Sequence, residues 1–513
     1  MTVEQDGSAR ELVRRFRALP ADRRGAALRL LRERGIDLSA LDPDLSALGT
    51  DLPASPGTIP RTPRSADDPP PLSSTQQRLW FLAQLDGDEA AAAYNLPGAT
   101  RLLGPLDRGA LIRALEEVVR RHEVLRTCFL ADGGVPYQHI GDGSEFAVRE
   151  EELPGAGPEE LARVCAEEAR TPFALDRAPL IRARLLRLAE EEHVLLVSMH
   201  HSVSDGWSYG VLQRDLGALY EAFRQDRPSP LAPLPVQYAD YARWERGLLA
   251  GGAREEQLAY WRGRLAGLPV PESLPVDRER PEVRTYNGAR ATFLCGPEVL
   301  AGLRALAARH DCTLYMTLLA AHDVLLHRAS GRTDIAVGTV VANRNRPELE
   351  ELIGYFVNTL VMRTDLSGDP TFAELLGRVR RTALDAYAHQ DVPFGTVVEA
   401  LRLERDPGRH SPVFSSMFLL QEAWTDSAAR LGGLEVRSAP LDVGVSKFEL
   451  TVELQATPDG LSGIVEYSTD LFDAATVRRF IGDWKGLLAS VVESPGERVS
   501  RLALGPTGEP GPP

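Results

Sequence analysis

The densest cluster of chemistry-bearing side chains in this sequence lies in Glu192-His-Val-Leu-Leu-Val-Ser-Met-His-His-Ser-Val-Ser-Asp-Gly-Trp-Ser-Tyr-Gly-Val-Leu212. An imidazole near its ordinary pKa can take a proton from an attacking amine or hydroxyl. A nearby carboxylate can fix a loop, and a glycine lets the backbone approach a ligand closely. All three types occur together here, as His200-His201, Asp205 and Gly206. A His-His pair by itself is most often two ordinary core histidines. Consecutive residues of an extended chain face opposite ways, however, so the two cannot both serve one substrate or grip one metal without a sharp turn. One is expected to be structural and the other functional.

The elements that must position this cluster are legible around it. The apolar run from His193 to Met199 reads as a buried strand. After Asp205-Gly206 the period changes, and Val211, Leu212, Leu216, Leu219 and Tyr220 fall on one helical face. The histidines therefore stand at a strand end just before a helix, on a loop displayed by a rigid scaffold, where chemistry is often mounted.

A chain of 513 residues exceeds what one hydrophobic core usually fills, so two lobes are expected. Its hydrophobic fraction of 43% and charged fraction of 26% suit globular domains and exclude a fibrous or membrane-embedded class. No stretch approaches the roughly 18 apolar residues of a spanning helix. The start, Met1-Thr-Val-Glu-Gln-Asp-Gly, is acidic and polar where a signal peptide is basic and then apolar, so a cytoplasmic location is expected. Cys128, Cys165, Cys295 and Cys312 form no Cys-x-x-Cys pair, which argues against a disulfide framework or zinc site. No metal centre or Gly-rich phosphate loop is expected. A formal charge of -15 disfavours nucleic acid and anionic membranes as partners.

Residues 1–50 carry helical spacing at Leu12, Phe16 and Leu19 and again at Leu28 and Leu31, which predicts two short helices. Residues 51–73, with Pro69-Pro-Pro71, read as an extended linker. The globular body is expected from Ser74, with a first lobe over 74–250 and a second over 251–504. A low-complexity tail occupies 505–513. Strand-like and helix-like runs alternate through the body, which implies mixed α/β layers.

His200-His201-Ser202-Val203-Ser204-Asp205-Gly206 resembles the His-His-x-x-x-Asp-Gly signature of condensation domains of nonribosomal peptide synthetases and of related chloramphenicol-acetyltransferase-like acyltransferases. Further motifs keep the family's order. Ser74-Thr-Gln-Gln-Arg-Leu-Trp80 is similar to the first and Arg121-His-Glu-Val-Leu-Arg-Thr-Cys-Phe129 to the second. Tyr238-Ala-Asp-Tyr-Ala-Arg-Trp244 matches the fourth, Ile353-Gly-Tyr-Phe-Val-Asn-Thr359 the fifth and His389-Gln-Asp-Val-Pro-Phe394 the sixth. Gly395 stands where the family usually has Glu, and Arg405-Asp-Pro-Gly-Arg-His-Ser-Pro-Val-Phe414 is a loose seventh motif.

The resemblance implies two chloramphenicol-acetyltransferase-like lobes arranged as a V-shaped pseudodimer, behind a short helical N-terminal segment that is a candidate docking element. It implies amide formation between a donor thioester and an acceptor amine, each on the phosphopantetheine arm of a carrier protein, with no cofactor bound by the domain itself. An adjoining adenylation domain is a further candidate partner. His201 and Gly206 are then the catalytic positions. His200, Asp205 and Arg344 are structural parts of the site, with Arg346 a rival for Arg344, and Trp207, Ser208 and Asn358 are candidates for the substrate tunnel. The run ending at Trp207-Ser208 is similar to domains that join an L-configured donor to an L-configured acceptor. An epimerisation domain should carry Glu-Gly-His-Gly-Arg, which this sequence lacks. An ester-forming enzyme with a hydroxyl acceptor shares the same histidine loop and stays open. A catalytically dead recruitment platform predicts a degraded loop.

Overall fold

A computed structural model of the chain describes residues 58–505, apart from residue 66 and the stretches 86–91, 251–252, 269–273, 404–407, 410, 422–430 and 440–443. The helices expected within 1–50, residues 51–57 of the expected linker and all but the first residue of the tail lie outside the described residues. So do residues 405–407 and 410 of the loose seventh motif. The chain divides into two units, Met1–Pro60 and Arg61–Pro513, and the second carries all the strands and helices of the described fold.

The first half of that unit is built on strands β1 (Asn95–Leu103), β4 (Val148–Glu152), β5 (Ile181–Ala189) and β6 (Glu192–His200), with β2 (Thr127–Asp132) and β3 (Val135–Ile140) forming a separate hairpin. Its helices are α1 (Ser74–Leu85), α2 (Arg108–Arg121), α3 (Pro158–Arg170), α4 (Gly206–Phe223) and α5 (Tyr238–Leu249). β6 lies between β1 and β5, antiparallel to both. Every side chain from His193 to His200 is buried, which explains an unbroken apolar run where a half-exposed strand would alternate. α3 packs against β1 and β6 and closes an apolar layer that includes Ala99, Val164, Leu186, Val194 and Leu196.

The second half contains α6 (Ala253–Arg264), β7 (Gly288–Cys295), α7 (Pro297–Arg309), α8 (Leu314–Ser330), β8 (Asp334–Val341), α9 (Pro347–Glu350) and β9 (Asn358–Asp365). It continues with α10 (Phe372–Ala388), α11 (Phe394–Leu401), β10 (Ser416–Gln421), β11 (Glu435–Ser438), β12 (Leu450–Thr457), β13 (Gly460–Ser468) and α12 (Ala474–Glu493). Its sheet runs β7-β13-β12-β10-β8-β9, with β10 parallel to both neighbours and the other pairs antiparallel. The alternation Leu450, Val452, Leu454 and Leu461, Val465, Tyr467 buries one face of this sheet against α8, α10 and α12.

Two features depart from a simple division at residue 250. β11, from the second half, joins the first sheet at its edge, pairing Thr100 with Ser438 and Leu103 with Glu435. Arg61–Ser73, expected as linker, is extended but strapped to the body. Arg64 pairs with Asp240 at 2.8 Å and Glu123 at 2.7 Å, the Pro70 carbonyl accepts from Gln138 N at 2.8 Å, and Leu72 is fully buried. Proline-rich backbone lacks donors for a ladder, yet its carbonyls accept and its neighbours pack.

Candidate active site

β6 delivers the two histidines and then turns. The His200 carbonyl accepts from Val203 N at 3.0 Å, and the His201 N–H donates to the Tyr94 carbonyl at 2.8 Å. Gln76 on α1 supports this turn from below, its Nε2 donating to the Ser202 carbonyl at 3.0 Å. His200 is buried, and its Nδ1 accepts from Ser202 N at 3.2 Å. His201 is only partly buried, and its Nδ1 lies 2.9 Å from the Ser204 carbonyl oxygen. A carbonyl can only accept, so that nitrogen carries the proton and Nε2 is left with its lone pair. The adjacent histidines thus hold opposite tautomers. Burial, followed by the charge of Lys447, pulls His201 down to about 3. Burial also pulls His200 to about 3, helped by His201 and Lys447. Tyr355 lies against His201 with ring centroids 4.6 Å apart.

Asp205 caps α4: Oδ1 accepts from Ser208 N at 2.8 Å, satisfying one of the free amides of the first turn. The same oxygen lies 3.1 Å from Arg344 Nη2, and Oδ2 accepts from Phe356 N at 3.0 Å. Arg344 Nη1 donates to the carbonyls of Leu349 at 2.5 Å and Leu352 at 2.7 Å. Burial lowers the Arg344 pKa and the Asp205 charge raises it in return. Arg346 lies elsewhere, near Glu348 at 3.9 Å and over the Trp244 ring at 4.6 Å. Ser208 Oγ accepts from Arg344 Nη2 at 3.0 Å and from Gly354 N at 3.0 Å. Its single hydrogen serves Asp205 Oδ1 or the Gly354 carbonyl. The loop from Leu352 to Phe356 is thereby tied to the histidine loop. Gly354 is required there, because a β-carbon would meet Tyr238 at 2.1 Å.

Gly206 opens α4 and is exposed, and a β-carbon there would meet nothing within 4 Å. Trp207 donates its indole N–H to the Glu350 carbonyl at 3.0 Å and remains 39% exposed. Asn358 lies at the start of β9 and is buried. Its amide donates to Gln390 O at 2.7 Å and Val392 O at 2.8 Å, and its oxygen accepts from Phe394 N at 3.0 Å. His200, His201, Asp205, Gly206, Ser208 and Arg344 thus come together, while Asn358 braces the loop before α11. Sequence reading missed Gln76, Tyr94, Tyr355 and Lys447 as neighbours of the histidines. The first and third lie within family motifs, and nothing local marks the other two. Among the described residues no group of His, Cys, Asp or Glu could hold a metal ion, and no helix is long and apolar enough to cross a membrane.

Two layered α/β halves thus meet at a strand-end histidine of fixed tautomer. The chain belongs to the condensation domain family, whose model matches residues 67–510. One of the linear gramicidin synthase subunits of Brevibacillus parabrevis is 45% identical over 450 residues, 86% of this chain and 6% of that protein. Phosphinothricin tripeptide synthetase PhsC of Streptomyces viridochromogenes is 42% identical over 450 residues, 86% of this chain and 41% of that one. The chain therefore spans less than half the length of these relatives. The X-domain from teicoplanin biosynthesis superposes with a TM-score of 0.79 at 34% identity, covering 87% of this chain and 100% of that chain. The first condensation domain of the calcium-dependent antibiotic synthetase shares the fold, with a TM-score of 0.73 at 24% identity over 86% of this chain and 100% of that one.

Proposed function

We propose that this domain forms an amide bond between an L-configured donor thioester and an L-configured acceptor amine, each held on the phosphopantetheine arm of a carrier protein. In this reading the acceptor nitrogen attacks the donor carbonyl, the tetrahedral intermediate collapses, the carbon–sulfur bond breaks, and the nitrogen's proton ends on the departing sulfur. The observation that carries it is the His201 tautomer, which leaves Nε2 as an acceptor for the amine N–H. An imidazole whose pKa is pulled to about 3 stays neutral and is a weak base. That favours orienting the amine by hydrogen bonding over full proton abstraction. Orientation of tethered reactants contributes as much to rate as a positioned base, or more. The space at Gly206 fits the close approach of a thioester arm. Asp205 and Arg344 act as the brace of the loop. A cytoplasmic setting, an adjoining adenylation domain and a docking role for residues 1–50 accompany this reading.

The X-domain from teicoplanin biosynthesis is also described in complex with OxyB, which raises recruitment as a second reading. The intact histidine loop favours catalysis. The test is incubation with carriers bearing defined aminoacyl donors and amine or hydroxyl acceptors, with carrier-bound products read by mass spectrometry. Wild type should yield the amide, and a folded His201→Ala should lose about two to four orders of magnitude in rate. A folded His201→Ala with wild-type turnover would overturn the assignment.

A further inference from the structure

A second histidine–carboxylate pair lies apart from the histidine loop, and amide formation at His201 gives it no part. His122 ends α2 and Asp215 lies on α4, each 1% exposed. His122 Nε2 lies 3.0 Å from Asp215 Oδ2, which also accepts from Arg121 Nε at 3.0 Å. His122 Nδ1 lies 3.3 Å from the backbone nitrogen of Ile353. An amide N–H can only donate, so Nδ1 holds a lone pair and Nε2 carries the proton that it gives to the carboxylate. Burial holds the ring below its ordinary pKa against the pull of Asp215, in keeping with the neutral form that this geometry requires. Ile353 stands in the segment that reaches His201. Beyond it, Gly354 N donates to Ser208 Oγ at 3.0 Å, and Phe356 N donates to Asp205 Oδ2 at 3.0 Å. The Tyr355 carbonyl accepts from the Tyr238 hydroxyl at 2.7 Å and from Thr75 Oγ1 at 3.2 Å. With its backbone held in this way, Tyr355 sets its ring against His201, centroids 4.6 Å apart. The tie at Ile353 comes from the end of α2, the others from α1, α5 and the first turn of α4. Ile353 is itself 1% exposed, so its N–H has no water to turn to.

We propose that His122 is a positioning residue for the reaction at His201. It accepts from the Ile353 N–H in the one tautomer that Asp215 favours, and so sets the segment that seats the Tyr355 ring on the reactive imidazole. This rests on the reading of His201 as the group that meets the acceptor amine. Without an acceptor at Nδ1 a buried N–H is left unpaired, and the segment relieves that cost by moving. Tyr355 moves with it, and the imidazole loses the wall that fixes its plane. A misplacement of about 1 Å at the reacting groups costs on the order of a hundredfold in rate. Arg121 remains as a partner for Asp215 when His122 is replaced, so the carboxylate is not stranded.

Asparagine and glutamine divide the two bonds of the ring between them. Asparagine carries an oxygen near the place of Nδ1 and can accept from Ile353, but it falls short of Asp215. Glutamine carries its amide near the place of Nε2 and reaches Asp215, but it leaves the Ile353 N–H unpaired. The test compares wild type, His122→Asn, His122→Gln, Tyr355→Ala, the double variant His122→Gln/Tyr355→Ala and His201→Ala in the rate of amide formation from carrier-bound substrates, beside their melting temperatures. His122→Gln should lose about tenfold or more in kcat, and His122→Asn should recover most of it. Asparagine is the smaller and gives up the bond to Asp215, so it should melt no higher than the glutamine variant. A role in stability alone therefore predicts the reverse order of rates. Tyr355→Ala should itself be slower, and adding His122→Gln to it should cost less than adding it to wild type, because the ring that His122 seats is gone. Equal rates for the asparagine and glutamine variants, a slower asparagine variant, or fully multiplicative losses in the double variant would overturn the proposal. Should the His122 variants not fold, a wild-type rate for Tyr355→Ala overturns it alone. If His201→Ala is inactive while the two His122 variants act alike, only the role of His122 falls. An active His201→Ala removes the reading beneath it.

Discussion

Asp205 joins three structures with one carboxylate: the first turn of α4, the guanidinium of Arg344 and the backbone of Phe356. Its charge has almost no exposure to water, so its stability depends on Arg344. Arg344→Ala should strand that charge and cost about 3–5 kcal/mol. Adding Asp205→Ala to Arg344→Ala should cost less than the sum of the two single changes, because the second substitution removes the stranded charge. Chemical denaturation of the four proteins measures this, and strictly additive losses would show that the pair is not coupled. At this scale the placing of the histidine loop at a strand end before a helix was readable, because the change of period after Asp205-Gly206 marks it. Arg344 was readable only through a family motif. The partners Tyr94 and Lys447 were not, since no local rule says which distant residue will border a strand end. Asp205 as a helix cap had a readable signal, an acidic residue just before an apolar helical period.

The elements β6 and α4 follow from periodicity: an unbroken apolar run for a strand between two neighbours, and a shift to helical spacing after Gly206. β11 does not. Glu-Val-Arg-Ser has no apolar alternation, and only Val436 is more than lightly covered. Its place comes from the ladder to β1, continued where Ala439 N donates to the Ala99 carbonyl at 3.0 Å. Ala439→Pro removes that donor and should destabilise the protein by about 1 kcal/mol or more. The readout is the urea midpoint. A midpoint equal to that of wild type would mean that β11 rests on the sheet edge without contributing to stability.

For the molecule as a whole, mixed α/β layers were legible from alternating patterns, and the chain carries two main sheets, of five and six strands. The start of the folded body was not, because proline-rich composition suggests a free linker while Arg64, Leu72 and Ser73 pack and pair. Tyr238 shows why: its hydroxyl meets Ser73 Oγ at 2.9 Å and donates to the Tyr355 carbonyl at 2.7 Å, so the strap, α5 and the Leu352–Phe356 loop share one contact. Compared with a chain beginning at Arg61, one beginning at Ser74 should melt lower by roughly 4 °C or more, through loss of a buried leucine and a partly buried ion pair. Calorimetry of the two truncations decides it, and equal melting temperatures would restore Ser74 as the boundary.

β11 also bears on how such domains could be recombined. A chimera spliced near residue 250 takes β1 from one parent and β11 from the other, so a junction that looks clean along the chain cuts through a hydrogen-bonded ladder in space. Backbone pairing tolerates foreign side chains, but Leu102 opposite Val436 must still fit. A hybrid that grafts residues 431–439 together with the first half keeps both edges of that ladder from one ancestor, and the compatible unit of exchange is therefore discontinuous in sequence.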